Sequence, residues 1–318
     1  PTNRFHRIFF LTWRVFILAR KQKSDLYHFH DPELIPIGLM LKILSSAKII
    51  YDVHEDVPEQ ILTKYWIPRF LRRPIAILFN IFEKILAHMF DATITATEAI
   101  GDKFRIHNKI VIHNFPDLQL FKHLHGLHKS VDNKTLVYAG GISRTRGAIE
   151  MIQALEYLKD LKNIQLLMIG WFDPQSLKTE LEDLPGYRNV RFLGLLNLEK
   201  VYEYLAVSDI GLICAHPEAR ALVALPVKLF EYMAAGIPVI ASNFPLWKKI
   251  VEENNCGLCI DPLKPREIAN AVAYLISHPN EAKKMGQNGQ RAAMEKYNWA
   301  AEEKNLLRFY QDLISQSR

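Results

Sequence analysis

Short apolar runs alternate with helix-length amphipathic segments along nearly the whole chain. Leu26–Phe29, Lys48–Val53, Ala92–Thr95 and Ile110–His113 read as strands of the first half. Helices are predicted between them, over Pro32–Leu44, about Pro74–Phe90 and onward from Glu98, with Asp31 as the N-cap of the first. The rhythm stops at Asn114-Phe115-Pro116-Asp117 and a polar, His-rich stretch reaching Asn133. It restarts with six strand candidates: Thr135–Ala139, Ile164–Ile169, Val190–Leu193, Ile210–Ile213, Pro238–Ala241 and Gly257–Ile260. Three long helices follow, over Pro265–Ser277, Pro279–Lys296 and Trp299–Ser315. Strands alternating with helices predict βαβ units and parallel sheets, so the fold class is α/β.

The second half holds a full set of six strands and the first only about four. A first residue that is proline rather than methionine adds to the expectation that one or two opening βα units precede this sequence. The predicted organisation is a partial Rossmann-like domain over 1–117, a linker over 118–133, a complete Rossmann-like domain over 134–296 and a crossing helix over 297–318. His123, His125 and His128 read as linker residues rather than metal ligands, because no carboxylate or cysteine set accompanies them.

Composition narrows the partners. A net charge of +6 fits an anionic ligand or an anionic membrane surface. No recognition-module signature points to nucleic acid. Three cysteines make no disulfide framework, which predicts a reducing, cytoplasmic setting. Cys256 and Cys259 form a CxxC without a second ligand pair and read as small apolar strand residues. No window approaches the ~20 apolar residues of a spanning helix. Two segments mix basic and aromatic residues: Arg4–Lys23, and Tyr65–Arg73 with the helix that follows from Ile75. Such faces lie in a bilayer interface or pack inward with solvated charge, and both readings stand.

Open parallel sheets bind ligands beyond the carboxyl ends of their strands. Four strand ends carry chemistry. Tyr138 to Gly147 is glycine-rich, with Gly140 and Gly141 permitting close approach and Arg144 and Arg146 matching phosphate oxygens. Ala221 to Gly236 holds a helix started by Pro226 and ended by Gly236, with Lys228 and Glu231 on one face. An ammonium there suits a phosphate and a carboxylate suits ribose hydroxyls; a surface ion pair is the plainer alternative. Tyr51-Asp52-Val53-His54-Glu55-Asp56 groups ionisable side chains fit for acid/base work, metal ligation or structural hydrogen bonds. His28-Phe29-His30-Asp31 places two histidines on one side of an extended chain, for a metal or beside a helix cap.

In this order these motifs resemble the family 4 glycosyltransferases. The most specific stretch is Leu225-Pro226-Val227-Lys228-Leu229-Phe230-Glu231-Tyr232-Met233-Ala234-Ala235-Gly236, supported by Cys256 to Pro262 and Tyr297-Asn298-Trp299. His28 to Asp31 and Tyr51 to Asp56 are similar to a branch that builds bacterial surface polysaccharides. The resemblance implies two facing Rossmann-like domains (GT-B), the first incomplete here, with the C-terminal helix packing back on the first.

It implies a retaining, metal-independent transfer from a UDP- or GDP-sugar to a lipid-linked or polysaccharide acceptor at the inner face of the membrane, with no cofactor. A non-catalytic nucleotide-binding scaffold and a sugar-nucleotide epimerase are the alternatives. The implied catalytic residues are His54, Arg146 and Lys228. Gly140, Gly141, Arg144, Arg146, Glu218, Leu225, Lys228 and Glu231 would hold the donor, Glu231 at its ribose. Backbone N–H groups of Ala221 to Leu225 would face the donor. His30, Asp31, His54 and Glu55 would lie on the acceptor side, and no metal ligands are expected.

Three departures carry consequences. The family's first motif glutamate is Val223 here, with Glu218 as a substitute. The usual arginine after the strand glycine is Gly141, with Arg144 nearby. The glycine-rich loop of the first strand–helix unit is missing, which predicts reduced or lost activity for the chain as given.

Overall fold

A computed structural model describes residues 10–64, 67–106, 108–124, 133–161 and 163–315. The chain divides into two compact units, one of residues 1–114 with 302–318 and one of residues 115–301.

The first unit contains α1 (Thr12–Gln22), β1 (Leu26–Phe29), α2 (Ile35–Leu44), β2 (Lys48–Val53), α3 (Val57–Thr63), α4 (Arg69–Ala87), β3 (Ala92–Thr95), α5 (Glu98–Gly101) and β4 (Lys109–Val111). Its four strands form one parallel sheet in the order β1-β2-β3-β4. β2 is buried along almost its whole length, as expected of a parallel strand covered on both faces. Tyr51 stacks on Phe29 and meets Phe90, and these rings join Ile35, Ile49 and Leu41 in the core. Asp31 stands at the expected cap position, but its side chain makes no capping hydrogen bond and a 3-10 turn over Pro32–Leu34 precedes α2. α4 begins five residues earlier than its pattern predicts and carries Pro74 inside it.

The second unit contains β5 (Lys134–Ala139), α6 (Ala148–Glu156), β6 (Ile164–Ile169), α7 (Leu177–Glu182), β7 (Val190–Gly194), α8 (Leu198–Val207), β8 (Ile210–Ile213), α9 (Ala219–Val223), α10 (Val227–Ala234), β9 (Val239–Ser242), α11 (Pro245–Glu253), β10 (Gly257–Ile260), α12 (Pro265–Ser277) and α13 (Pro279–Glu295). α14 (Trp299–Ser315) starts here and continues into the first unit. The six-stranded sheet runs β10-β9-β8-β5-β6-β7, all parallel. Read from β5, the order goes out to β7 and returns to β8 on the other side. That reversal puts a topological switch point between β5 and β8.

Alternation along β5 divides the core of the second unit. Leu136 and Tyr138 enter one buried cluster with Met151, Leu166 and Met168. Val137 and Ala139 enter the opposite one with Leu167, Leu229 and Phe230. Each large side chain so buried contributes about 1.5–3 kcal/mol. Leu118–Leu124, assigned to a linker by its polarity, is a 3-10 helix whose Phe121 is buried in the second cluster and stacked on Tyr202. His125 and His128 lie outside the described residues, as do residues 1–9, Tyr65 and Trp66.

Cys256 is buried and Cys259 half-buried against the same apolar cluster, and burial pushes both thiols up. Among the described residues no helix is long and apolar enough to cross a membrane.

Candidate functional site

β5 delivers the chain to the switch point, and Gly140 and Gly141 follow at its carboxyl end. Gly140 has φ +128°, a conformation that side chains resist. The N–H of Gly140 donates to the Ile169 carbonyl at 2.8 Å, which ties the turn to β6. A short 3-10 turn over Arg144–Arg146 leads to Gly147, at φ +76°, from which α6 starts. A Cβ on Gly147 would collide with the Cys214 carbonyl just past β8, so glycine lets the start of α6 approach that strand end.

Arg146 folds back into this turn, and its Nη1 donates to the Gly141 carbonyl at 3.1 Å. That carbonyl also accepts from the Tyr138 hydroxyl at 2.7 Å. Lys228 reaches the same place from the first turn of α10, where Pro226 sets the helix start. Its Nζ lies 4.0 Å from the centre of the Tyr138 ring. Burial, and then the positive charge of Arg146, push the Lys228 amine down to about 7. One turn along α10, Glu231 accepts a hydrogen bond from the Tyr202 hydroxyl at 3.0 Å. Burial raises the Glu231 carboxyl, against the pull of Tyr202 and Lys228.

Gly140, Gly141, Arg146, Lys228 and Glu231 therefore assemble at one end of the sheet, on the turn after β5 and on α10. The remaining donor-side candidates sit differently. Arg144 is exposed and pairs through both guanidinium nitrogens with Glu180 of α7. Glu218 is exposed at the start of α9, and Leu225 is half-buried against the core. Of the N–H groups between Ala221 and Leu225, those of Ala221 and Leu222 donate to the Glu218 carbonyl and so are not free for a ligand. Val223 is exposed on α9.

Two neighbours escaped sequence reading. Tyr202 comes from α8, far along the chain, and nothing in its amphipathic pattern marks it. His216 follows β8 directly, and its Nε2 lies 3.1 Å from Glu150 of α6. The position just after a strand was the available signal for His216.

In the first unit, β1 and β2 end side by side. Each contributes an i, i+2 pair on one face: His28 and His30 from the end of β1, Asp52 and His54 from the end of β2. Asp52 Oδ2 has His28 Nε2 at 3.0 Å, His30 Nδ1 at 3.1 Å and His54 Nε2 at 3.1 Å. His28 Nδ1 hydrogen-bonds the Tyr310 hydroxyl at 2.5 Å, and Asn114 Nδ2 donates to His54 Nδ1 at 3.0 Å. Burial opposes ionisation of Asp52, but hydrogen bonds from His28 and His54 hold it well below the ordinary carboxylate range. The Asp52 hydrogen bond raises His54. Asp31 and Glu55 are both exposed, and Glu55 accepts from the Gln60 amide. The expected acceptor-side set omits Asp52 and His28, the two members that hold this cluster together.

Known proteins resemble the chain at both levels. The sequence is 19% identical over 308 residues to the MMP alpha-(1->4)-mannosyltransferase of Mycolicibacterium hassiacum, covering 92% of this chain and 72% of that one. It spans half or less of the length of several other curated relatives. The fold is similar to sucrose-phosphate synthase from Thermosynechococcus elongatus, with a TM-score of 0.77 and 18% identity over 99% of this chain and 81% of that one. It is likewise similar to Anabaena Alr3699/HepE, solved in complex with UDP-glucose, with a TM-score of 0.73 and 17% identity over 98% of this chain and 84% of that one. These neighbours carry the GT-B fold, with which the two parallel sheets agree. Residues 123–292, more than half of the chain, match the family described as glycosyl transferases group 1, and the protein belongs to that family.

Proposed function

We propose that the protein is a retaining glycosyltransferase that moves a sugar from a UDP- or GDP-sugar to a lipid-linked or polysaccharide acceptor. The observation that carries this reading is the convergence of Arg146 and Lys228 on the Gly140–Gly141 turn at the switch point. The diphosphate would lie there, against the start of α10, with Glu231 accepting from the ribose hydroxyls. The similarity to a protein solved with UDP-glucose supports that donor class.

A nucleoside diphosphate leaves when its developing charge is stabilised, and two cations can supply that without a metal. The bond from the anomeric carbon to the diphosphate oxygen breaks, and the acceptor oxygen attaches on the same face. The acceptor's proton passes to the departing phosphate oxygen. His54 would meet the sugar near that carbon. The two-carboxylate scheme of glycosidases is not invoked, since the leaving diphosphate itself takes the acceptor's proton. α4 exposes Phe70, Ile77, Leu78 and Ile85 beside Arg69 and Arg73, which supports contact with the inner face of a membrane where a lipid-linked acceptor resides.

Titration calorimetry with UDP, GDP and their sugars tests the donor site. A folded sample that binds none of them counts against the proposal. Val223 at the first glutamate position favours a second reading, a nucleotide-binding homologue without turnover. Product analysis separates the readings: transfer requires acceptor, an epimerase converts the sugar nucleotide alone, and a scaffold does neither.

A further inference from the structure

His54 of the cluster at the ends of β1 and β2 has a place in the proposed transfer, but His28 and Asp52, which hold the cluster together, have none. Adjacent parallel strands about 4.8 Å apart, each offering an i, i+2 pair, bring four side chains to a common centre. One ligand atom each from His28, His30 and Asp52 can be chosen so that all lie within 4.8 Å of one another. Asp52 is almost wholly buried, with 6% of its side chain exposed. Its Oδ1 nevertheless has no hydrogen-bond partner among the described residues.

Protons alone satisfy this arrangement poorly. His28 Nε2, His30 Nδ1 and His54 Nε2 all face Asp52 Oδ2, and His30 Nδ1 also lies 2.8 Å from His54 Nε2. Each ring nitrogen carries at most one hydrogen and an ionised carboxylate carries none. With three hydrogens the His30–His54 contact sets N–H against N–H, and with fewer at least one contact to Oδ2 sets lone pair against lone pair. A cation bound by the lone pairs of the ring nitrogens and of Asp52 Oδ2 removes that conflict.

The distances agree. Nitrogen and oxygen ligands about 2.0–2.1 Å from a tetrahedral ion stand roughly 3.3 Å apart. The contacts to Asp52 Oδ2 are within a few tenths of an ångström of that. The surroundings also suit it. Tyr310 can accept from His28 Nδ1–H, fixing the tautomer that leaves Nε2 free. Asn114, donating to His54 Nδ1, leaves the hydrogen of neutral His54 on Nε2, so His54 supports Asp52 rather than acting as a ligand. The side chain of His30 is 57% exposed, which gives an ion a route in and an open position for water.

We propose that His28 Nε2, His30 Nδ1 and the Asp52 carboxylate bind one divalent transition-metal ion of the zinc class. The site lies in the first unit and shares no residue with the diphosphate pocket of the second. Two imidazoles and a carboxylate suit zinc, cobalt or iron(II) better than magnesium or calcium. The proposal revises the expectation of no metal ligands and assigns the ion no part in stabilising the leaving diphosphate.

Cobalt(II) added to the untagged, metal-stripped protein is the test. The expected result is one equivalent bound, with the visible absorption of a low-coordinate cobalt site, displaced by zinc. His30→Gln and Asp52→Asn should each abolish that spectrum. Tyr310→Phe, which leaves the ligands in place, should weaken binding by about 10-fold or more. A triple variant with His123, His125 and His128 changed to Gln should bind as the parent does. Circular dichroism of His30→Gln, whose side chain is exposed, controls for folding. No saturable cobalt binding, binding unchanged in folded His30→Gln, or binding lost in the triple variant would each overturn the assignment.

Discussion

The ammonium of Lys228 sits 4.0 Å above the ring of Tyr138, where a Cβ on Gly140 would come within 2.8 Å of it. Burial and then Arg146 push the amine down to about 7, against the pull of Glu231. An unfolded lysine titrates near ~10.4. Between these values the unfolded chain holds a proton that the folded chain lacks, so stability rises with pH across that window. Below about 7 both states are protonated and the cost of enclosing the charge is present in full. Lys228→Met should flatten this part of the pH–stability curve, as read by chemical denaturation.

Nucleotide binding should show the opposite trend at the same residue. A diphosphate favours the charged amine, so binding takes up a proton above about pH 7. Affinity for UDP or GDP should fall as pH rises from there, by at most about tenfold per unit. Calorimetry in buffers of different ionisation enthalpy would count the proton. Proton uptake that persists in Lys228→Met would assign the titration elsewhere. In turnover assays, Arg146→Ala should lower kcat about 100-fold or more, since its guanidinium is one of two cations at the turn.

Gly140→Ala should damage the same site through the backbone. Its φ of +128° strains any side chain, at a cost of about 1–3 kcal/mol, and the new methyl would push against Lys228. The expected result is a folded protein with a lowered denaturation midpoint and nucleotide affinity reduced by more than the stability loss explains. Unchanged affinity would mean that Lys228 has room to move without consequence.

Glu231 and Tyr202 permit a test of the ribose assignment. Glu231→Gln keeps an acceptor for the Tyr202 hydroxyl but removes the charge. A hydrogen bond to a charged group contributes about 1.5–3 kcal/mol, so UDP affinity should fall on the order of 10- to 100-fold. The loss should be much smaller for 2′-deoxy-UDP, which lacks one of the hydroxyls. Equal losses for both nucleotides would place the carboxylate away from the sugar ring.

Much of this was legible from periodicity. The bounds of β1, β2, β3, β6, β8 and β10 follow directly from short apolar runs, because parallel strands buried on both faces admit little else. Glycine and proline marked the Gly140 turn and the start of α10 for the same physical reasons that shape them in the fold. Arg144 carries a pairing that the sequence does not show: a glutamate 36 residues away holds it, and long-range ion pairs leave no trace in local sequence. Polarity likewise hides the packing of Leu118–Leu124, which the buried Phe121 decides. His28 and Asp52 were visible as residues. Their convergence depends on the pairing of Phe29 with Tyr51, which no single-chain pattern states.

The outer face of α4 supplies the last prediction. Phe70, Ile77, Leu78 and Ile85 are 78%, 60%, 67% and 59% exposed, an unusual cost for a helix surface in water. Arg69 and Arg73 lie in its first turns, where they can meet anionic headgroups while the apolar rings and branches enter the interface. The protein should cosediment with phosphatidylserine-containing vesicles more than with neutral phosphatidylcholine vesicles, and salt should weaken the attachment. Ile77→Ser with Leu78→Ser should release it while leaving the denaturation midpoint within about 0.5 kcal/mol per exposed site. Nucleotide affinity should be unaffected, since the donor residues lie in the second unit. Attachment that survives this double change would move the membrane contact away from α4.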